Sequence, residues 1–518
     1  MRPRLHFYLL LALILFFGCS SLLWLSRNSR PPGTAGEIRA ALQYSRPIAS
    51  LSCSGFRRVF LDRSLTWYAP AEFILIGIQF AITRPSVDWA AAANIFWLVV
   101  FCLASFTLSR RFLTPETGLL AIALTLTMNI VVALVREVSL EIALMATVTL
   151  SVYLLLRTEH FTQWKPTILL GLVAALGLLV KESFPLYLFF PSLFVFLGRP
   201  SSLSGKTAAR ALVGMALCLG IAAFWYVPHW VNVRELYELN RQQAVIEGDP
   251  VGWNLAAALY YPNALVNYYL HPLLALLLLA SLVQNWRRAL PAKQVLTVWL
   301  LGTYFLLTFI IANKDVRHFV PCAPAIGFLV ADWLLTRRAV IRNFLTVAVL
   351  VISCVYFFSS QWGIPRWDRV IHYQAAQYDW RLWDGALFKE TVPHRENWNI
   401  PELIHEIEQD AVDGKLSSSV RVGVVPFVYR YNNGTLQLYA ALQNFDGEFV
   451  SLGNETNFST LSTFDYLITK SGDQGAASLT TQSAAINEHL VSNPLFKPLG
   501  SFPLFDGTTV TVLKNTKR

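Results

Sequence analysis

Apolar runs close to or above the ~18 residues that a helix needs to cross a bilayer recur along the first two thirds of this chain. "FYLLLALILFFGCSSLLWL", "NIFWLVVFCLASFTL" and "FLTVAVLVISCVYFF" are three of them. By length, about eleven spans are expected. Composition agrees, because 54% hydrophobic and 14% charged residues leave too little polar surface for a water-soluble fold of this size. The expected fold class is a polytopic α-helical membrane protein. Its first apolar segment follows "MRPR", lacks a small-x-small cleavage site before Arg27 and exceeds a typical signal core, so it reads as a retained helix. Cys19, Cys102, Cys218, Cys322 and Cys354 fall in apolar segments and read as small hydrophobes, with Cys53 alone in a loop. Neither a disulfide framework nor a zinc motif is expected.

Basic clusters recur after every second span, at "MRPR", Arg110 and Arg111, Arg157 and Lys165, Arg199, Lys206 and Arg210, Arg287, Arg288 and Lys293, and Arg337, Arg338 and Arg342. Positive charge of this periodicity marks cytoplasmic loops, which places the N-terminus in the cytoplasm and the C-terminal region outside. The net charge of +10 then reflects membrane orientation rather than nucleic-acid binding. The first outer loop, residues 27–88, departs from the rule with Arg27, Arg30, Arg39, Arg46, Arg57, Arg58 and Arg63, which suit anionic headgroups or a phosphorylated ligand. "TWYAPAEFILIGIQFAI", Thr66 to Ile82, is apolar, yet a full crossing there would invert every later loop. It reads as a juxtamembrane or half-inserted helix.

This topology gathers Glu37, Arg136, Glu137, Glu141, Lys181, Glu182, Lys314, Asp315 and Arg317 on the outer side, close to membrane depth. Ionisable groups beside hydrocarbon are costly and usually functional. Such a set can bind a phosphate next to a base: cations such as Lys181 and Arg317 would neutralise a lipid-linked sugar phosphate, and a carboxylate would take the proton of an incoming hydroxyl. Simpler readings stand beside these. Glu37 lies in a helical first turn, where an acid favours the helix dipole. Lys181 ends a span and can snorkel to headgroups. Asp62, between Arg58 and Arg63, reads first as a local ion pair. His229, His271 and His318 match no metal-ligand spacing.

From about Ser359 the chain turns polar, through an aromatic linker to a pattern of helix "PELIHEIEQDAV", strand "SVRVGVVPF", helix "TLQLYAALQNF" and strands "GEFVSL", "FDYLITK" and "TTVTVLK". That alternation predicts a small α/β domain with a largely parallel sheet. The expected division is a membrane module over residues 1–358 and an exocytoplasmic linker with α/β domain over 359–518. Without a phosphate-loop pattern or clustered His and Cys, the latter reads as an accessory or acceptor-recognition module.

"GLVAALGLLVKESFPLY" and "IIANKDVRHFVPCAPAIGFLVADWL", supported by "SRRFLTPETGLLAIAL" and "VREVSLEIALMATVTLSVYLLLRTE", resemble segments of the dolichyl-phosphate-mannose-protein mannosyltransferase and aminoarabinose transferase superfamily. These are membrane glycosyltransferases of the GT-C fold. The resemblance covers roughly the membrane module, and the C-terminal region resembles the outer domain of some bacterial members. It implies transfer of a sugar from a polyprenyl-phosphate donor to a protein, lipid or glycan acceptor outside the cytoplasm, by inverting displacement, in a plasma or inner membrane. It also implies an Asp-Glu pair in the first outer loop, which here reads Gly36-Glu37. Glu37 is then the expected catalytic acid, with Asp62 and Glu137 as further acids that could serve, and Glu141 corresponds to a second catalytic acid. Lys181, Arg136, Lys314 and Arg317 correspond to phosphate-binding positions. A divalent metal would be compatible with such a site, though the ligand set is too sparse to assign one. Two other functions compete: a transporter or flippase for lipid-linked sugars, and an inactive scaffold, kept open by Gly36.

Overall fold

The computed structural model describes residues 3–198, 204–285, 291–414, 420–491 and 493–517. Arg199, Arg287 and Arg288 of the basic clusters lie outside the described residues. Helix α1 (Pro3–Leu25) is followed by the shorter α2 (Ala35–Ala49), α3 (Cys53–Phe60) and α4 (Ala71–Ile82). Next come α5 (Val87–Ala92), α6 (Asn94–Phe112), α7 (Pro115–Leu126), α8 (Asn129–Val135), α9 (Leu140–Arg157), α10 (Trp164–Val180) and α11 (Phe184–Leu197). Then follow α12 (Gly205–Tyr226), α13 (Trp230–Ile246), α14 (Leu255–Ala264), α15 (Pro272–Asn285), α16 (Pro291–Phe309), α17 (Ala323–Leu335) and α18 (Ala339–Trp362).

Among the described residues seven helical stretches are long and apolar enough to cross a bilayer, or eight if α7 and α8, bent by 75°, form one broken span. Four more apolar helices, Ala71–Ile82, Trp164–Val180, Phe184–Leu197 and Pro272–Gln284, are shorter. The expected eleven counted apolar sequence, which the chain interrupts at places such as Lys181 and the prolines opening α11 and α15. At twelve residues α4 falls short of a crossing.

The chain divides into two compact units. The first comprises Met1–Trp24, Ser50–Leu75 and Ala91–Pro393. Its centre is α9 and the helix ending in α17, whose apolar windows are 78% and 83% buried, whereas α12 and α18 are only 17% buried and turn outward. Close helix approach is built from small residues: a Cβ on Gly171 of α10 would lie 2.5 Å from Gly214 O of α12, and one on Gly327 of α17 would lie 2.7 Å from Ala121 O of α7. After α18, strands β1 (Val370–Ala375) and β2 (Tyr378–Asp384) form an antiparallel hairpin, then α19 (Gly385–Thr391) follows. The hairpin turn is Ala376-Gln377, at φ 49° and 65°, so no Asn or Gly marks it in the sequence.

The second unit comprises Leu25–Ala49, Ile76–Ala90 and His394–Arg518. Its five-stranded sheet has the order β4 (Gly447–Ser451), β3 (Val420–Val424), β5 (Tyr466–Lys470), β7 (Thr509–Asn515), β6 (Phe496–Pro503). β3 pairs in parallel with β4 and β5, while β7 is antiparallel to β5 and β6. The sheet is therefore mixed rather than largely parallel, because the last two strands close as a hairpin over Gly507 at φ 79°. Helices α20 (Ile400–Asp413) and α21 (Asn433–Leu442) bury Leu403, Ile404, Ile407, Leu436 and Ala440 in its core.

The expected boundary at 358/359 falls inside α18, a helix that runs unbroken to Trp362. What reads as linker folds into the hairpin and stays with the first unit. Conversely, two pieces of the first loop, Leu25–Ala49 and Ile76–Ala90, join the second unit; in the former, α2 buries Ile38, Ala41, Leu42 and Tyr44 and packs against α21, and Arg30 Nε lies 2.5 Å from Glu396 Oε1.

Within the first unit Lys293 Nζ of α16 lies 2.5 Å from Asp332 Oδ2 of α17, and both residues are buried. Asp332→Ala would leave a buried ammonium uncompensated and is expected to cost about 3–5 kcal/mol, whereas joint Lys293→Met and Asp332→Leu replacement should recover most of it. Thermal melts of the detergent-solubilised variants check this; equal melting of single and double variants would count against the pair.

Candidate functional site

Helix α9 opens at Ser139 and carries Glu141 in its first turn, where the helix dipole favours an acid. Helix α10 ends at Val180, and Lys181 leaves it in extended conformation, a cation at a helix C-terminus, before the proline-led start of α11. The two side chains meet: Lys181 Nζ is 2.7 Å from Glu141 Oε1, and both are buried. Ser139 Oγ donates to the other carboxylate oxygen at 2.9 Å. Lys181 Nζ also stands 6.0 Å from the centre of the Tyr68 ring. Both oxygens of Glu141 are therefore engaged, and the ammonium is held at a defined point.

Arg317 and His318 lie within electrostatic reach of Glu141. They belong to a 3₁₀ turn, Val316–Cys322, that leads into α17. Asp315 caps this turn, accepting from the Arg317 backbone N–H at 2.8 Å and from Arg317 Nε and Nη2 at 2.8 and 2.5 Å. Burial pulls the Asp315 carboxyl up, but the bond and charge of Arg317 outweigh it and hold the group below its ordinary range. Arg317 remains exposed along one side. Tyrosine hydroxyls hold the segment behind it: Tyr260 donates to Lys314 O at 2.8 Å, Tyr269 to Val316 O at 2.5 Å and Tyr187 to His318 O at 2.7 Å. Next to Lys181, burial raises the Glu182 carboxyl while the ammonium draws it back.

Arg136 caps α8 and is 4% exposed. Its Nη1 donates to Thr391 O at 3.0 Å and its guanidinium lies 4.7 Å from the Trp24 ring centre, leaving Nε and Nη2 buried with no hydrogen-bond partner. Glu137 is half-buried, its carbonyl accepting from Asn94. Asp62 is exposed and closes a local turn, accepting from the Ser64 N–H at 2.9 Å and hydroxyl at 2.7 Å. Glu37 lies half-buried in the first turn of α2, in the other unit. A Cβ on its neighbour Gly36 would meet nothing within 4 Å.

Lys314 departs most from expectation. Its ammonium donates to Leu307 O, Thr308 O and Ile311 O at 2.6, 2.7 and 2.5 Å, ending α16. An ammonium has three N–H donors, so none is left over for a phosphate. Lys314 closes a helix end. Sequence reasoning also passed over Ser139 and the tyrosines Tyr187, Tyr260 and Tyr269, whose hydroxyl contacts have no local signal in the chain. Among the described residues no three His, Cys, Asp or Glu side chains cluster as a metal site.

Residues 68–228 match the dolichyl-phosphate-mannose-protein mannosyltransferase family. No curated protein matches the chain in sequence. ArnT from Cupriavidus metallidurans in the apo state is similar in structure, with TM-score 0.61 at 12% identity over 98% of this chain and 97% of that one. The same protein bound to undecaprenyl phosphate gives TM-score 0.59 at 12% identity over the same shares, 98% and 97%. The archaeal oligosaccharyltransferase AglB from Archaeoglobus fulgidus, in complex with an inhibitory peptide and a dolichol-phosphate, gives 0.55 at 10% identity over 89% of this chain and 69% of that one. This chain thus has the GT-C membrane fold with a C-terminal sheet domain, and over residues 68–228 it carries the pattern of the dolichyl-phosphate-mannose-protein mannosyltransferase family.

Proposed function

We propose that this protein is an integral membrane glycosyltransferase that moves a sugar from a polyprenyl-phosphate carrier to an acceptor outside the cytoplasm. The observation that carries the reading is the buried Lys181–Glu141 pair beside the exposed Arg317, in a fold like that of a protein solved with undecaprenyl phosphate. The basic clusters at Arg110–Arg111, Arg157, Lys206 and Arg337–Arg342 support a cytoplasmic N-terminus and an exocytoplasmic C-terminal domain in a plasma or inner membrane.

In this reading Lys181 and Arg317 hold the donor phosphate, and Arg136 offers a third cation through its two unpartnered donors. Glu141 is a positioning residue that fixes Lys181, bonding it through one oxygen while the other accepts from Ser139. Lys314 has no part in binding. The acceptor oxygen bonds to the anomeric carbon from the face opposite the phosphate, the carbon–phosphate oxygen bond breaks with inversion, and its electron pair departs on the polyprenyl phosphate. The hydroxyl proton passes to a carboxylate base, the role that the resemblance gives to Glu37. Cations preorganised around the leaving phosphate stabilise the charge that grows there.

Transfer of radiolabelled sugar from a panel of polyprenyl-phosphate donors tests this. Lys181→Ala should lower transfer by about 10²–10³-fold, the scale of removing one preorganised charge contact. Glu37→Gln should lower it by about 10²–10⁴-fold, the range of a lost general base, and adding Gly36→Asp to that variant should restore part of the rate. Full activity in Glu37→Gln would place the base elsewhere, and no transfer from any donor would sink the enzyme reading.

Lys314→Met provides the contrast. It should leave the donor KM unchanged while lowering stability by about 1–3 kcal/mol for carbonyls left unpaired, read as a lower melting temperature. A raised KM without loss of stability would return Lys314 to the binding site.

A further inference from the structure

An apolar groove of about 380 Å³ runs along the outward face of α18, lined by Leu350, Val351, Cys354 and Phe358 and closed by Ile364 and Pro365. The groove exists because α18 stops on a left-handed Gly363, at φ 65°, which turns the chain back beside the helix's last turns. Arg366, Trp367 and Arg369 follow directly and are all exposed. A spanning helix thus ends beside an apolar channel, and the chain that closes the channel at Ile364 and Pro365 runs straight on into two exposed arginines and an exposed tryptophan. Aromatic and basic side chains in that position match the headgroup level of a bilayer.

Positive charge there exceeds negative, because Asp368 is shared between two cations. The acid within residues 364–369, Asp368, lies 3.0 Å from Lys389 Nζ and 3.8 Å from Arg366 Nε, so Lys389 is its nearer counter-ion. We infer that the groove and its basic rim bind one anionic glycerophospholipid, an acyl chain lying along Leu350–Phe358 and the headgroup phosphate held by Arg366 and Arg369. A polyprenyl phosphate shares the chemistry of a phosphate on an apolar chain, but none of the residues placed in the transfer site lines this groove. The site is independent of whether the protein transfers sugar.

Cys354 lines the groove and is exposed, which makes it a reporter. Cys102 and Cys322 are buried, so replacing Cys19, Cys53 and Cys218 by Ser leaves Cys354 as the one accessible thiol. The full chain in this form would be placed in nanodiscs of phosphatidylcholine alone, with phosphatidylglycerol, or with undecaprenyl phosphate, and labelled with an uncharged, lipid-soluble maleimide. Phosphatidylglycerol should slow labelling by about tenfold or more, each arginine near anionic lipid contributing on the order of fivefold. Arg366→Ala with Arg369→Ala should abolish the protection, and Arg366→Lys with Arg369→Lys should keep most of it. Equal rates with and without phosphatidylglycerol would overturn the proposal. Protection by undecaprenyl phosphate alone would also overturn it and assign the groove to the carrier.

Discussion

A lysine ammonium 2.7 Å from a glutamate carboxylate, both buried against apolar helices, is the interaction on which the site depends. Neither charge could be left there alone, because an isolated ion in low dielectric carries a penalty of several kcal/mol. Their meeting requires the start of α9 and the end of α10 to lie together, and α9 is among the most enclosed helices of the first unit. Packing and electrostatics therefore reinforce one another: the core brings the helix ends together, and the ion pair makes any other arrangement costly. What remains is a cation held at a defined point with donor capacity to spare.

The same logic governs the 312–322 segment. Backbone at membrane depth that leaves the α-helix is tolerated only where its polar groups find partners within the protein. Here the carbonyls of Lys314, Val316 and His318 accept from Tyr260, Tyr269 and Tyr187, and the Lys314 ammonium satisfies the end of α16. Arg317 is thereby presented on a rigid turn, restrained by Asp315 yet accessible. Lysine and tyrosine spend their polar groups on holding the backbone, and Arg317, bonded to Asp315 through Nε and Nη2, keeps one exposed side.

Much of this could be read in advance, and the reasons for the failures are specific. Glu141 in an apolar run is expensive in any membrane protein, so its importance was visible without its partner. The pairing with Lys181, forty residues away, was not, because nothing local encodes which helix ends meet. Lys314 and Lys181 look alike in sequence, each a lysine at the close of an apolar run. Only the direction of the side chain, back onto carbonyls or across to a carboxylate, separates a helix cap from one half of a buried ion pair. The Ala376-Gln377 turn lacks the residues that normally announce a hairpin, so its strands read as linker.

The amino-acid sequence alone determined that this chain crosses a bilayer many times, that charged residues at its helix ends are functional candidates, and that a separate α/β domain follows. These are consequences of composition and of short-range periodicity, which act within a few turns of chain. Tertiary structure alone decided that α2, with Glu37, packs on α21 in the second compact unit, that the sheet is mixed, that Glu141 holds Lys181, and that Lys314 is committed to backbone. Those outcomes follow from the requirement that every buried polar group find a partner, and the partners are supplied by segments far apart in the chain.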